Sequence, residues 1–297
     1  MRILLAGKNG QLGRCFQDAI ARTTHELIAL SSQELDVTNS SQVKEVVNKF
    51  RPDVIVNASA YTAVDKAESD QEMAYAVNHS GVEYLAKAAQ SLAIPVIHVS
   101  TDYVFDGAAV EPYLPSDETN PQTVYGNSKL AGENALSEHC TQYLVLRTAW
   151  VFSEYGNNFV KTMLRLGNEC DALSVVADQY GCPTYAGDLA QAIVQLCDHY
   201  QETKELAWGV HHYSGDMPTS WHGFARTIFA KAHKQGLLSK IPELTAISSD
   251  QYPTPSKRPE YSVLNTGTLE ALSLEPSQWL TSLDKVLETL SKAPCSE

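Results

Sequence analysis

Basic residues are scarce in this chain. Its 297 residues hold 22 Lys and Arg against 35 Asp and Glu, a formal net charge of −13. That balance disfavours nucleic acid and acidic membranes as partners, because both require a concentrated positive face. An anionic small ligand stays possible, since helix N-termini and a few local cations can hold it. Cysteine pairs are missing too. Cys15, Cys140, Cys170, Cys182, Cys197 and Cys295 are scattered, with no two at CxxC spacing, so neither a redox dithiol nor a zinc knuckle is indicated. The expectation is free thiols in a cytoplasmic protein. Long apolar runs are absent. The opening "MRILLAG" stays apolar for only a few residues before Lys8 and Asn9, too short for a signal-peptide core or a membrane span. No internal repeat or low-complexity tract is present. What remains is 43% hydrophobic and 19% charged, a composition that fits a soluble globular enzyme of one large or two modest domains.

The first half alternates. "RILLAG", "ELIAL", "PDVIVNAS", "PVIHVSTDYVF" and "YLVLRTAWVF" read as five strands. Between them lie the helical stretches "NGQLGRCFQDAI", "SSQVKEVVNKF" (capped by Asn39 or Ser40), "DQEMAYAVNHSGVEYLAKAAQSL" and "VYGNSKLAGE". Apolar strands separated by amphipathic helices predict an α/β fold, a doubly wound parallel Rossmann-type sheet covered on both faces. The second half loses this rhythm. Four helical stretches (157–170, 186–200, 220–236 and 276–292) are separated by Pro- and Gly-containing loops such as "DQYGCPTYAG" and "DQYPTPSKRPEYS". The expected division is a nucleotide-binding domain over 1–152 and a smaller α/β substrate lobe over 153–297, with some later segments returning to the main sheet.

"GKNGQLG" sets Gly7, Gly10 and Gly13 at GxxGxxG spacing, directly after the first strand and at the opening of the first helix. Glycines there permit a tight turn and close approach of backbone to a pyrophosphate, with the helix dipole favouring the anion. The dinucleotide would thus meet Gly7, Asn9, Gly10, Gln11, Leu12, Gly13 and Arg14. The end of the second strand usually carries an acidic ribose selector for NAD. Ser31 and Ser32 stand there instead, and Arg14 is placed to meet a 2′-phosphate. NADPH is therefore the expected cofactor, with NADH tolerated. Asp36 and Val37 are expected beside the adenine, and Ala58, Ala60 and Tyr61 along the middle of the cofactor. Asn78 is a polar group on the long helix, with a structural role the simpler reading.

Strand four ends in "HVSTDYVFDG", at the carboxyl edge where open α/β sheets bind ligands. The next helix carries Tyr125 and Lys129 at i, i+4, on one face. A free tyrosine has a pKa of about 10. A neighbouring ammonium favours the phenolate and lowers that value. A tuned phenol can protonate a carbonyl oxygen as hydride arrives. A hydroxyl such as Thr101 can share the bond to the developing alkoxide, and the lysine can hold the nicotinamide ribose.

GxxGxxG, a Ser/Thr and YxxxK together resemble the extended short-chain dehydrogenase/reductases. "AYTAVDKAE", "STDYVFDG", "YGNSKLAGE", "LRTAWVF", "NNFVKTML", "DQYGCPT" and "RPEYSVLNT" narrow the resemblance to the dTDP-4-dehydrorhamnose reductase family, over nearly the whole chain. The resemblance implies NAD(P)H-dependent reduction of the C4 ketone of dTDP-4-dehydro-L-rhamnose. It implies Tyr125 as proton donor, Lys129 as its partner and ribose anchor, and Thr101 in the place of the superfamily's serine. For the nucleotide-sugar it suggests Thr62, Val64, Thr101, Tyr103 and Trp150, with Asn158 at the entry and Arg258 on the diphosphate. Trp150 would stack on the hexose or serve as a core side chain at a strand end.

Some family members are dimers bridged by magnesium through glutamates. At two of those positions this chain has Cys15 and Gly187, so a monomer or weak dimer is expected, with no metal. Asp178 and Asp188 are read as loop and cap residues. The rivals are two sugar-nucleotide enzymes of this fold and, from a different class, a non-catalytic subunit. A 4,6-dehydratase carries a second acid where this chain has Tyr103, and an epimerising enzyme needs an extra acid–base pair, for which Cys182 and His98 offer no spacing pattern. A regulatory subunit resembling that of methionine adenosyltransferase would have no need of Thr101, Tyr125 and Lys129.

Overall fold

A computed structural model of the chain describes residues 1–292; Cys295 lies outside the described residues. The predicted alternation is present as β1 (Arg2–Ala6), α1 (Gln11–Ile20), β2 (Glu26–Leu30), α2 (Ser40–Phe50) and β3 (Val54–Asn57). Asn39, not Ser40, caps α2, its side chain accepting from the Gln42 amide at 3.1 Å. A short α3 (Val64–Ala67) follows. The single long helix expected over 70–92 has a different interior. It runs as α4 (Gln71–Tyr75), a π-helical turn (Ala76–Ser80) and α5 (Gly81–Ser91), and such turns occur often at functional sites. Then come β4 (Val96–Thr101), a 3₁₀ turn (Asp102–Val104), α6 (Val124–His139) and β5 (Tyr143–Thr148).

The strand expected over 143–152 breaks after Thr148. Trp150 takes φ 49°, a left-handed conformation that swings the chain out of the sheet. The next two residues form β6 (Val151–Phe152), which pairs in a separate ribbon. The second half continues with α7 (Phe159–Glu169), β7 (Ala172–Val176), β8 (Tyr180–Gly181), β9 (Thr184–Tyr185) and α8 (Ala186–Thr203). After these come β10 (Gly209–His212), β11 (Thr219–Ser220), α9 (Trp221–Lys234), β12 (Glu243–Ile247) and α10 (Trp279–Lys292). Strand β10 has no signature in the sequence. "GVHH" carries no apolar run, and pairing with β5 alone makes it a strand.

The main sheet is parallel throughout, in the order β10-β5-β4-β3-β1-β2. The chain leaves β1 in one direction, toward β2, and returns to its other side at β3. A crevice therefore opens at the carboxyl ends of β1 and β3. Alternate side chains face opposite layers. Ile3, Leu5, Val54 and Val56 pack against α1 and α8, so a segment beyond Phe152 covers the first sheet. Leu4, Ala6, Ile55 and Val145 pack against α2, α5 and α6. Phe152, Val160, Phe224, Phe229 and Leu283 form a separate core joining β6, α7, α9 and α10. No helix among the described residues is long and apolar enough to cross a membrane.

Helix α6 lies very close to its neighbours. A Cβ on Gly126 would stand 2.2 Å from the Tyr103 carbonyl oxygen, and one on Gly132 would stand 2.0 Å from that of Asn78. Gly132→Ala is expected to push α6 off the π-helical turn and lower unfolding stability by about 1–3 kcal/mol, the range for overpacking. A denaturant titration with an unchanged midpoint would show a looser approach than this.

Candidate active site

The glycine loop lies at the crevice. Gly7 has φ 90°, and a Cβ there would sit 2.7 Å from the Ala58 backbone; one on Gly13 would sit 2.2 Å from the Gly7 oxygen. The fold itself demands both. Gly10 differs, since its Cβ would meet nothing closer than 3.6 Å, so no neighbour in the chain requires a glycine there. A bare backbone at that exposed position suits the close approach of a ligand. Gly10 is also the N-cap of α1 and supplies no side-chain cap. The first amides of α1, at Gln11, Leu12 and Gly13, stay open to an anion. Asn9 is exposed at the loop tip. These residues fit the pyrophosphate of a dinucleotide.

At the end of β2 the structure corrects the sequence reading. Ser31 offers no free hydroxyl: its Oγ and its amide both donate to Glu34 Oε2, at 2.7 and 2.8 Å. An acidic side chain is present after all, three residues further on. Lys8 Nζ lies 2.6 Å from the same oxygen. The lysine, with the two Ser31 donors, holds the Glu34 carboxyl down at about 2. Arg14 lies elsewhere, its guanidinium 5.6 Å from the centre of the Tyr155 ring. Lys8 is therefore the cation that stands with Ser31 and Glu34 at the end of β2.

Asp36 Oδ1 accepts from the Thr38 amide and hydroxyl in a local turn, and Val37 is wedged against Gly81. Beyond β3, Ala58 abuts Gly7, and Tyr61 is clamped by Asn78. The Asn78 side chain accepts from the Tyr61 amide at 2.8 Å and donates to its carbonyl at 3.0 Å. It also donates to Ser128 Oγ, which donates to the Tyr125 carbonyl. Asn78 is thus structural, and the π-helical turn carries it to this position.

Thr101 at the end of β4 and Tyr125 and Lys129 on α6 come together at the carboxyl edge, all buried. The Thr101 hydroxyl donates to Asp102 Oδ1 at 3.0 Å and accepts from the Tyr103 amide. The expected lowering of the tyrosine is not found. Burial raises Tyr125 to about 12, with the Thr101 hydroxyl opposing and the Asp102 charge adding to the rise. Burial likewise lowers Lys129 to about 8, with Glu133 partly opposing. Glu133 is engaged elsewhere, in a bidentate buried pair with Arg147. Lys129 Nζ instead donates to the Val99 carbonyl at 2.7 Å and meets His98 Nε2 at 3.3 Å.

On the sugar side, Val64 and Tyr103 pack with Tyr125, and Thr62 is exposed beside them. The Tyr103 and Tyr125 rings meet edge to face at 5.5 Å. Arg258 donates to Asp65 Oδ2 at 3.0 Å and keeps a buried Nε without a partner. It stands at a cavity of about 470 Å³ lined by Phe159, Met163, Val176, Gln179, Trp221 and Tyr252, among others. Sequence reasoning placed only Phe159, within the NNFV stretch at the expected nucleotide-sugar entry, and missed the others; the six come from four separate stretches with no shared motif. Two expectations change. Trp150 is stacked on Trp221 at 3.5 Å and 8°, with its edge against Gly181. That stack covers one face of its ring, and it is Trp221 that lines the cavity. Asn158 caps α7, and its amide nitrogen donates to Gln11 Oε1 and the Ser153 carbonyl. Neither of its amide hydrogens is free for substrate; it ties the lobe to the glycine-loop helix.

Cys15 and Gly187 line one cavity of about 600 Å³, with Asp18, Glu154 and Asp188 around it. Asp188 accepts from Ser277 and Ser282 hydroxyls, and Asp178 from the Ser249 amide and hydroxyl. Cys182 is buried, its thiol pushed up to about 12 by that burial.

The chain as a whole is similar to known proteins. The model of the RmlD substrate binding domain family matches residues 1–292. A dTDP-4-dehydrorhamnose reductase of Salmonella typhimurium is 44% identical, covering 97% of this chain and 97% of its own. A crystal structure of a dTDP-4-dehydrorhamnose reductase from Clostridium acetobutylicum superposes with TM-score 0.91 at 39% identity, covering 98% of this chain and 100% of its own. One from Bacillus anthracis, solved in complex with NADP, gives TM-score 0.88 at 35% identity, over 97% and 99%.

Asp102 provides a pH test of the site. Burial raises its carboxyl from 3.8 to about 6, and its Oδ2 has no hydrogen-bond partner. Across that window the unfolded chain has released the proton while the fold retains it, so folding stability falls as pH rises. Asp102→Asn removes this titration. Its melting temperature should gain on the wild type through the window and keep the gain above it. A difference independent of pH would mean that Asp102 is ionised in the fold.

Proposed function

The chain belongs to the RmlD substrate binding domain family, and on that footing we propose that it reduces the C4 ketone of dTDP-4-dehydro-L-rhamnose to dTDP-L-rhamnose with NADPH. One observation carries the reading: Thr101, Tyr125 and Lys129 are buried together at the carboxyl edge of the sheet, beside a glycine loop whose Gly10 is free to admit a pyrophosphate. Bound NADPH supplies the hydride. Tyr125, protonated across the neutral range, donates the proton to the ketone oxygen. Thr101 holds that oxygen as charge develops, and Lys129 orients the ribose. The nucleotide-sugar lies between Arg258, on its diphosphate, and the Trp221 cavity. We place the reaction in the cytoplasm, with the chain working as a monomer or weak dimer over domains divided near Phe152; Cys15 and Gly187 bring no carboxylate for a bridging metal.

The rivals are less well supported. Tyr103 stands where a dehydratase carries its second acid. Neither Cys182 nor His98 is a free base, since one is a buried neutral thiol and the other is bonded to Lys129 and Asn57. Loss of reduced-nicotinamide absorbance on adding the sugar nucleotide tests the reductase. Binding of NADPH without turnover would favour the regulatory subunit.

Tyr125→Phe should slow reduction by about 10²–10⁴-fold, the usual contribution of a positioned acid, with NADPH affinity close to intact. Full rate in this variant would remove Tyr125 as donor. Lys8→Ala should weaken NADPH by about tenfold or more, as expected for a lost charge-assisted contact, and NADH by much less. Arg14→Ala should leave their ratio unchanged. Fluorescence titration of both cofactors decides, and the reverse pattern would return the role to Arg14.

A further inference from the structure

One buried polar chain remains without a role in this scheme. Asn57 and His98 are register partners on β3 and β4, and both are buried with Lys129. The Ser59 amide donates to Asn57 Oδ1 at 3.1 Å, and the Ser59 hydroxyl does so at 2.5 Å. A backbone N–H can only donate, so that atom is the carbonyl oxygen. The amide nitrogen must then be the atom facing His98 Nδ1, at 3.0 Å. It too can only donate. His98 Nδ1 therefore carries a lone pair, and the neutral ring bears its proton on Nε2. That N–H points at Lys129 Nζ, 3.3 Å away. An amine offers it a lone pair; an ammonium has none.

The surroundings favour the same state. On its own helix Lys129 faces Tyr125, kept neutral by burial, and Glu133, which is held by Arg147 of β5. From β4 it faces His98, whose own protonation is opposed by burial and by Lys129. Asp102, in the turn after β4, is raised toward its neutral form. No carboxylate is free to pair with the lysine, and burial brings it down to about 8.

We propose that Asn57 and His98 weaken proton binding by Lys129 in the ligand-free protein, so that at alkaline pH it rests as an uncharged amine and takes up one proton from solvent when an anionic dinucleotide enters the cleft, the second step resting on the dinucleotide site proposed above. Protonation fills the nitrogen lone pair and ends its bond to His98, and the negative charge brought into the cleft offsets that loss. At such pH the ammonium that favours the Tyr125 phenolate stands beside it only once the cleft is occupied. Asn57 and His98 are thus positioning residues that tie the acidity of the tyrosine to occupancy of the cleft.

The charge on Lys129 can be read directly. Protein labelled with ¹³Cε-lysine is titrated by NMR without ligand, the Lys129 resonance being assigned by its loss in Lys129→Met. In the wild type it should titrate below the surface lysines by at least about one unit, a tenfold difference in proton affinity. Asn57→Asp should raise it. A carboxylate at 57 accepts from Nδ1–H, which moves the ring lone pair to Nε2, where it accepts from an ammonium. His98→Gln, which can turn its carbonyl to Nζ, should act in the same direction and serves if the first variant fails to fold. A wild-type Lys129 that titrates with the surface lysines overturns the proposal, as does a low value unmoved in a folded variant. Calorimetry with NADPH, in two buffers of different ionisation enthalpy and above the Lys129 midpoint, then reads the second step. Proton uptake that disappears in the variants supports it, and binding without uptake overturns it. Failure of the wild type to bind NADPH or NADH would overturn the dinucleotide site and the second step together, while the ligand-free titration still decides the first.

Discussion

The approach of α6 to the sheet is the constraint on which the rest of the site depends. Gly126 and Gly132 let the helix backbone reach the carbonyls of Tyr103 and Asn78, nearer than any side chain would allow. That closeness buries Lys129 against β4 and carries Tyr125 to Thr101. The bidentate Glu133–Arg147 pair fastens the same helix to β5. The π-helical turn follows from the same packing, since it aims Asn78 at Tyr61 and Ser128 together. Helix, turn and β3 exit are thus one hydrogen-bonded unit.

Buried charge divides by what surrounds it. Arg147 and Glu133 satisfy one another with short, well-directed bonds, as a buried pair must if its desolvation is to be offset. Lys129 and Asp102 have no such partner, and burial moves both toward their uncharged forms. Groups that lack partners in a buried site change protonation easily, which suits proton transfer and would be a liability in a core. The pair that holds the fold and the groups offered to chemistry are separated by a single turn of α6.

The second lobe is joined to the first across the cleft. Asn158 and Ser153 grip Gln11 at the start of α1, and Ser256 and Arg258 grip Asp65 at α3. The first tie sets the lobe beside the glycine loop; the second brings Arg258 in front of Tyr103. A sugar nucleotide held between these ties would span the catalytic edge and the Trp221 cavity.

The alternation of strands and helices was legible because period and spacing are local. Gly7, Gly10 and Gly13, and the pair Tyr125 and Lys129, were legible because the chemistry that needs them also needs them near one another in the chain. Strand β10 and the cavity around Trp221 were not, since each is made by residues that meet only after the chain has folded. The contacts of Ser31 and Arg14 were not legible either, for the same reason. Sequence order puts Arg14 in the glycine-loop helix, but the turn of that helix sends it to Tyr155 and leaves Lys8 facing Glu34. The sequence by itself determined the doubly wound sheet, the glycine loop and the candidate site residues Thr101, Tyr125 and Lys129. Tertiary structure alone decided their protonation, because proton affinity depends on burial and on partners such as His98 and Asn57, which stand 31 and 72 residues from Lys129 and reach it only across the strands of a parallel sheet.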